Sequence, residues 1–148
     1  MPAVAQADVK VQLRAAGLPG SGSYGPDILK PEELEQCVKS ARDINANSDA
    51  LETAEAAVKM QTSEIGRLNQ EIERNSRQLD RTNQSIVDSH NANVQRYQTL
   101  IKDHNAQIST FNSRTYNHNV QIQKFTANCA DKKYYESDRQ AVRTRTGS

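Results

Sequence analysis

The sequence lacks the large side chains that fill a round hydrophobic core. It contains no tryptophan, two phenylalanines and five tyrosines among 148 residues, and only 35% of the residues are hydrophobic. The mean hydropathy is -0.84, and no apolar run approaches the roughly 20 residues that a membrane-spanning helix needs. We therefore expect one extended, soluble domain without membrane insertion, rather than an ordinary globule.

An excess of one charge sign is also missing. Nineteen lysines and arginines nearly balance 18 aspartates and glutamates, which leaves a net charge of +1 at pH 7. We therefore expect no basic patch for nucleic-acid phosphates or anionic lipid. The two cysteines, Cys37 and Cys129, have neither metal-ligand nor C-x-x-C spacing, so they either pair with each other or are unrelated thiols.

Glycine and proline are concentrated in residues 1–30. This part holds four of the six glycines and three of the four prolines, which predicts a flexible leader. Within it, Ala5-Gln6-Ala7 has the small-x-small form of a secretory cleavage site, although no apolar segment precedes it. We interpret residues 1–7 as the remnant of a signal peptide; a flexible cytosolic N-terminus is the alternative.

Helix-breaking residues are scarce beyond the leader. Between Glu32 and Cys129 there is no proline and one glycine, Gly66. Pro31 followed by Glu32 and Glu33 predicts a helix start, because proline fits the first turn and acidic side chains favour the positive end of the helix dipole.

Two rows with a spacing of seven residues follow in the first half of this region. The apolar row reads Cys37, Ile44, Leu51, Val58, Ile65, Ile72, Leu79 and Ile86. The row three residues earlier is mostly small or polar, and it reads Leu34, Ala41, Ser48, Glu55, Thr62, Asn69, Ser76 and Asn83. A seven-residue repeat of this kind is typical of a coiled coil.

The second half carries a row of rings and a second apolar row. The rings are His90, Tyr97, His104, Phe111, His118 and Phe125. The apolar row reads Val94, Ile101, Ile108, Thr115, Ile122 and Cys129. All three histidines therefore lie on one row.

An antiparallel arrangement matches these rows to each other. Pairing Cys37 with Cys129 fixes the sum of paired residue numbers at about 166 and sets apolar residues against apolar residues. The rings then face the small and polar row, so that each histidine meets a hydroxyl in the pairs Ser48–His118, Thr62–His104 and Ser76–His90. The turn is expected near residues 80–86, where Thr82 or Asn83 can cap a second helix.

The predicted fold is all-α. A long antiparallel two-helix coiled-coil hairpin covers residues 31–130, a Cys37–Cys129 disulfide closes its open end, and residues 131–148 form a C-terminal tail with room for a short helix. The competing interpretation is one continuous helix that dimerises in parallel, since the apolar row runs on from Leu79 to Ile86 without a skip.

Catalytic and metal chemistry are disfavoured by this arrangement. Successive histidines are 14 residues apart, or about 21 Å along a helix, which is too far for a shared metal ion. The Ser–His and Thr–His pairs lack a concave pocket and an orienting acid, so we expect hydrogen bonds rather than catalysis and no cofactor. His90, His104 and His118 nevertheless form a candidate pH-sensitive seam, which would loosen below about pH 6.

Tyr134 and Tyr135 are the adjacent aromatic pair of the tail, and they form a candidate interface. The alternative is that they pack against the leader, near Tyr24 and Ile28, and close the base of the hairpin.

Three groups of residues resemble a loosely defined group of small exported bacterial coiled-coil proteins with no assigned activity. They are the stretch from Pro31 to Cys37, the repeats in which Asn follows a ring, and Asn128-Cys129-Ala130 followed by Tyr134-Tyr135-Glu136. The resemblance covers residues 31–142. It implies a bacterial origin in the envelope or the secreted fraction, and it supplies no functional residues.

The function expected from the sequence is structural. We predict a non-enzymatic, periplasmic or secreted spacer or adaptor whose exposed helical faces or base bind a partner protein. A periplasmic holdase-type chaperone is the alternative, and it would require an exposed apolar groove. A homodimer is also expected to be feasible, because Val38, Leu68, Val87 and Leu100 lie beside the main rows, where a second copy would cover them.

Overall fold

The computed structural model describes residues 10–147, and its regular structure is helical. Three α-helices and one π-helical turn follow one another: α1, Pro31–Arg77; α2, Gln84–Phe125; the π turn, Thr126–Ala130; and α3, Glu136–Thr146. Residues 10–147 contain no strand, only two isolated bridges between single residues. The all-α class is therefore confirmed. The interpretation of residues 1–7 as a signal-peptide remnant lies outside the described residues.

Helix α1 begins at Pro31, where its first turn carries Glu32 and Glu33. The Glu33 carboxylate accepts a hydrogen bond from the Lys30 backbone N–H at 3.0 Å, so it satisfies a donor just before the helix. The last turn carries Arg74 and Arg77, whose positive charges suit the negative end of the helix dipole.

The segment 78–83 separates α1 from α2. Asp80 accepts hydrogen bonds from the Thr82 backbone N–H at 3.0 Å and from its hydroxyl at 2.5 Å. Asn83 then caps α2, because its side-chain oxygen accepts from the backbone N–H of Ser85 at 3.1 Å and of Ile86 at 3.4 Å. One continuous helix through Leu79 and Ile86 is therefore wrong: these polar side chains give the backbone other partners here.

The described chain divides into two compact units, residues 10–52 with 114–147 and residues 53–113. The first unit holds a hydrophobic cluster to which α1, α2, the π turn and α3 all contribute. Its buried members are Leu29, Leu34, Cys37, Val38, Ile44, Phe125, Cys129, Ala130 and Val142. Val38 was predicted to lie where a second copy would cover it, but it is already buried in this cluster.

The described part of the leader, residues 10–30, has defined contacts in the first unit. Its backbone pairs with the chain after the π turn: Leu18 N–H donates to Tyr134 O at 2.8 Å, and Leu29 N–H donates to Lys133 O at 2.8 Å. The bond from Glu136 N–H to Leu18 O, at 3.0 Å, adds to this pairing. The composition of the leader does not predict these hydrogen bonds, because their partners lie far away in the sequence.

In the second unit, the side of α1 that is buried differs from the heptad prediction. Leu68 is only 1% exposed although it lies beside the predicted rows, whereas Thr62, on the small and polar row, is exposed. Leu100 of α2 is also partly covered. The buried face of α1 in this unit therefore includes the position just before the polar row, which the predicted rows leave out. Leu68 is therefore a core residue of the monomer.

The helices of residues 10–147 include none with the length and apolar character that a bilayer crossing requires.

Candidate functional site

The disulfide predicted from the matched rows is confirmed. Cys37 of α1 is bonded to Cys129 of the π turn, with their Cα atoms 5.7 Å apart and 92 residues between them in sequence. Both cysteines are buried. The bond fixes α1 against the end of α2 in the first unit.

A groove opens beside this disulfide. Its volume is about 460 Å³, and we call it the stapled groove. Its lining residues are Leu29, Glu33, Gln36, Cys37, Ser40, Asp43, Ile44, Gln121, Lys124, Phe125, Asn128 and Cys129. The expectation that the chain has no concave pocket is therefore wrong.

The floor and the rim of the stapled groove differ chemically. Leu29, Ile44 and Phe125 are buried and give the floor an apolar character, together with the disulfide. The rim carries charges of both signs, because α1 contributes Glu33 and Asp43 and α2 contributes Lys124. An apolar floor under a mixed-charge rim is the composition of a site that recognises an amphipathic surface.

His118 lies in a buried layer of the first unit. Its side chain is fully buried, and the Asn47 side-chain amide donates to its Nδ1 at 3.0 Å. The ring proton of the neutral form is therefore on Nε2, and this atom has no hydrogen-bond partner among residues 10–147. Thr115 Oγ1, one turn earlier, is likewise buried without a partner in the described chain. Burial lowers the pKa of His118 from its ordinary value of 6.5.

His104 has a different set of partners, in the second unit. Its Nδ1 donates to Gln61 Oε1 at 2.8 Å, and its Nε2 lies 3.3 Å from Thr62 Oγ1. The Thr62 hydroxyl also lies 3.0 Å from the Val58 carbonyl oxygen, so its single proton points either to that oxygen or to His104. The predicted pair Thr62–His104 is therefore in contact, and Gln61 is a partner that the heptad rows did not predict.

His90 borders a second, smaller cavity of the second unit. The cavity has a volume of about 270 Å³ and is lined by Asn75, Gln78, Leu79, Ser85, Ile86, Ser89, His90 and Asn93. The Nδ1 atom of His90 is buried without a hydrogen-bond partner in the part of the chain that the structure describes. Ser76, its predicted partner, is exposed and does not line this cavity; Asn75 does.

Tyr134 and Tyr135 pack at the base of the first unit. The Tyr135 hydroxyl donates to Ser23 O at 2.9 Å, and its ring meets that of Tyr24 edge to face with centroids 5.5 Å apart. Tyr134 packs against the hydrophobic cluster. Tyr24 in turn donates to Asp138 at 2.8 Å, and this hydrogen bond raises the pKa of Tyr24 above 10.0. This is the base-packing alternative, so the pair does not form an exposed patch.

Within residues 10–147, no three or more His, Cys, Asp or Glu side chains are grouped so as to hold a metal ion. Comparisons of the chain with protein-family models, with curated proteins and with solved structures give no match.

Proposed function

We propose that this chain is a non-enzymatic protein-interaction module, a rigid spacer or adaptor in an exported bacterial assembly, which binds a partner protein in the stapled groove. The observation that carries the proposal is the position of the groove directly beside the Cys37–Cys129 disulfide. A covalent link holds the two walls in place before a partner arrives. Such preorganisation lowers the ordering cost of binding.

The proposal includes an antiparallel coiled-coil hairpin formed by α1 and α2. Contacts inside each unit support a common register. Thr62 follows Cys37 by 25 residues, and its partner His104 precedes Cys129 by 25 residues. Burial of Leu51, Phe111 and Phe125 supports the predicted rows. The hairpin is what would make the module a spacer.

The histidines support a structural rather than a catalytic role. His118 pairs with an amide, and His104 pairs with an amide and a hydroxyl. The stapled groove is lined by residues that include no histidine. We therefore assign His104 and His118 to packing and hydrogen bonding between the helices.

An exported location is part of the proposal. Disulfides persist in the periplasm and outside the cell and are rare in the reducing cytosol. The Cys37–Cys129 bond and the resemblance to exported bacterial proteins support this location.

Site-specific photo-crosslinking in cells of the source organism tests the proposal. A photoreactive amino acid replaces Gln36, an exposed lining residue of the groove, or Gln70, an exposed residue of α1 in the other unit. We expect discrete crosslinked protein bands from position 36 and none of these bands from position 70. Identical products from both positions, or no product from either, would overturn the proposal.

A holdase is the alternative function, and a client assay separates it from an adaptor. Light scattering would follow the aggregation of a heat-unfolded client protein with and without the chain. The adaptor proposal predicts no protection. The groove is lined by none of the exposed large hydrophobic side chains of residues 10–147, which are Tyr24, Met60, Ile86 and Tyr116.

A further inference from the structure

We infer that the occupant of the stapled groove is an amphipathic α-helix of the partner protein, with basic residues along one flank and acidic residues along the other. The inference rests on the proposed function, and it names the chemistry of the partner. A helix fits the shape of the groove, its charge pattern and the way in which this chain already seats α3.

The shape comes from two rows of side chains. Along α1, the lining residues Glu33, Gln36, Ser40 and Asp43 follow one another at intervals of three and four residues, which places them on one face of the helix. Gln121 and Lys124 do the same on α2, and Asn128 of the π turn continues the facing wall. The α1 row spans about 16 Å, or three helical turns. Two neighbouring helices form the kind of groove that a third helix occupies in a helical bundle.

The charge pattern gives the flanks of the occupant. Glu33 and Asp43 make the α1 rim acidic, and Lys124 makes the α2 rim basic. Among the described residues, no ion pair includes Asp43 or Lys124. A helix with basic residues beside α1 and acidic residues beside α2 would complement both rims. Reversing its direction would exchange its flanks, so the rim charges also set its orientation.

Helix α3 shows the same mode of docking elsewhere in the first unit. It buries Val142 in the hydrophobic cluster. At its edge, Arg145 Nε lies 3.5 Å from Glu35 Oε1, and Arg42 donates to Thr146 O at 3.0 Å. Glu35 and Arg42 lie on the opposite side of α1 from Ser40, by the 100° turn per residue of an α-helix. Helix α1 thus already holds one short amphipathic helix through an apolar anchor, Val142, and an acidic residue, Glu35.

An apolar small molecule, such as a fatty acid, is the competing occupant, because the volume of about 460 Å³ lies in the range of small-ligand sites. The rim argues against it. A fatty acid has a single carboxylate and would leave Asp43 and Glu33 facing an uncharged chain, whereas a helix meets all three rim charges.

Fluorescence anisotropy with synthetic helices tests the inference on the full, disulfide-bonded chain. Three peptides of about 14 residues, each held in a helical form by a side-chain crosslink, share one leucine face and differ only in their flanks. The first has lysine on one flank and glutamate on the other, the second has glutamine on both flanks, and the third has glutamate on both. We expect the lysine–glutamate peptide to bind about five- to tenfold more tightly than the glutamine peptide at low salt, and the glutamate peptide to bind most weakly. A fluorescent fatty acid is the fourth probe.

Variants of the protein assign the effect to the groove. Asp43→Lys and Lys124→Glu should each weaken binding of the lysine–glutamate peptide several-fold, while the exposed control changes Glu52→Lys and Lys39→Glu should leave it unchanged. Glu33 is left intact because it also accepts the Lys30 hydrogen bond.

A blocking pair completes the test. Ser40→Tyr fills the groove and should abolish binding, whereas Ser63→Tyr places the same ring on an exposed surface and should not. Equal binding of all three peptides, indifference to Asp43→Lys and Lys124→Glu, or binding of the fatty acid alone would overturn the inference. If position 36 still crosslinks to a protein in cells, the proposed function stands and only the helical, bipolar occupant is rejected. Peptide binding without a cellular crosslink would reject the proposed function instead.

Discussion

Cys37 and Cys129 lie with their Cα atoms 5.7 Å apart although 92 residues separate them in sequence. The bond closes a loop that contains most of α1 and all of α2, and both sulfur-bearing residues line the stapled groove. A link of this kind restricts the unfolded chain and fixes the groove walls at the same time.

Removal of the disulfide should lower the free energy of unfolding by about 4 kcal/mol, because a loop of this length costs the unfolded chain that much conformational entropy. The measurement is urea unfolding of the wild type and of Cys37→Ser/Cys129→Ser, each with and without reductant. The reduced wild type should match the double variant, and the double variant should not respond to reductant. A wild type unaffected by reduction would contradict the stabilising role of the bond.

Stability should fall as the pH drops below 6.5 because of His118. Burial lowers its pKa in the folded chain, so the unfolded chain takes up a proton at a higher pH than the folded chain does. Its contribution is therefore fully present above pH 6.5 and is lost progressively as the pH falls toward the lowered pKa. Unfolding midpoints measured between about pH 7.5 and about pH 5 would show this. His118→Gln should flatten the pH dependence, whereas Asn119→Gln should keep it; equal slopes in all three chains would exclude His118 as the cause.

Gly22→Ala should loosen the base of the first unit. A Cβ atom at Gly22 would lie 2.6 Å from the Tyr135 hydroxyl oxygen, which is held by Ser23 O, while a Cβ at Gly25 would meet nothing within 4 Å. We expect Gly22→Ala to destabilise by about 1 kcal/mol and to speed hydrogen exchange of the Leu18 amide, with no such loss for Gly25→Ala. Chemical unfolding and amide exchange are the measurements. Faster exchange in both variants would point to glycine flexibility rather than to the Tyr135 contact.

Leu68→Ala should destabilise the chain by about 2 to 5 kcal/mol, because this side chain is only 1% exposed. Met60→Ala removes a side chain of similar size that is 74% exposed, so it should change the free energy of unfolding by less than about 0.5 kcal/mol. Urea unfolding compares the two. If both variants changed the free energy of unfolding by a similarly small amount, Leu68 would not be a core residue, and the prediction that a second copy covers it would be favoured.

The helix start and the disulfide could be predicted because they depend on local chemistry and on a repeated spacing. Pro31 with its acidic neighbours marks the start of α1, and the match between two rows of residues brings Cys37 to Cys129. Asn83 was one of two capping candidates, and its oxygen accepts from Ser85 and Ile86.

Other features depend on geometry that the repeat does not contain. The predicted heptad rows leave out Leu68, although its side chain is only 1% exposed. The glycines of the leader predict backbone flexibility, but they do not predict the close approach between Gly22 and Tyr135. The stapled groove depends on how α1 packs against the end of α2 and the π turn, and the heptad rows do not specify that packing.

An isotope-filtered nuclear Overhauser experiment tests the proposed hairpin most directly. The sample mixes labelled and unlabelled chains, so contacts within one chain are separated from contacts between chains. The hairpin predicts intramolecular contacts from the Thr62 methyl group to the His104 ring and from the Asn47 amide to the His118 ring. Contacts found only between chains, or absent from both pairs, would contradict the hairpin and the spacer function proposed for it.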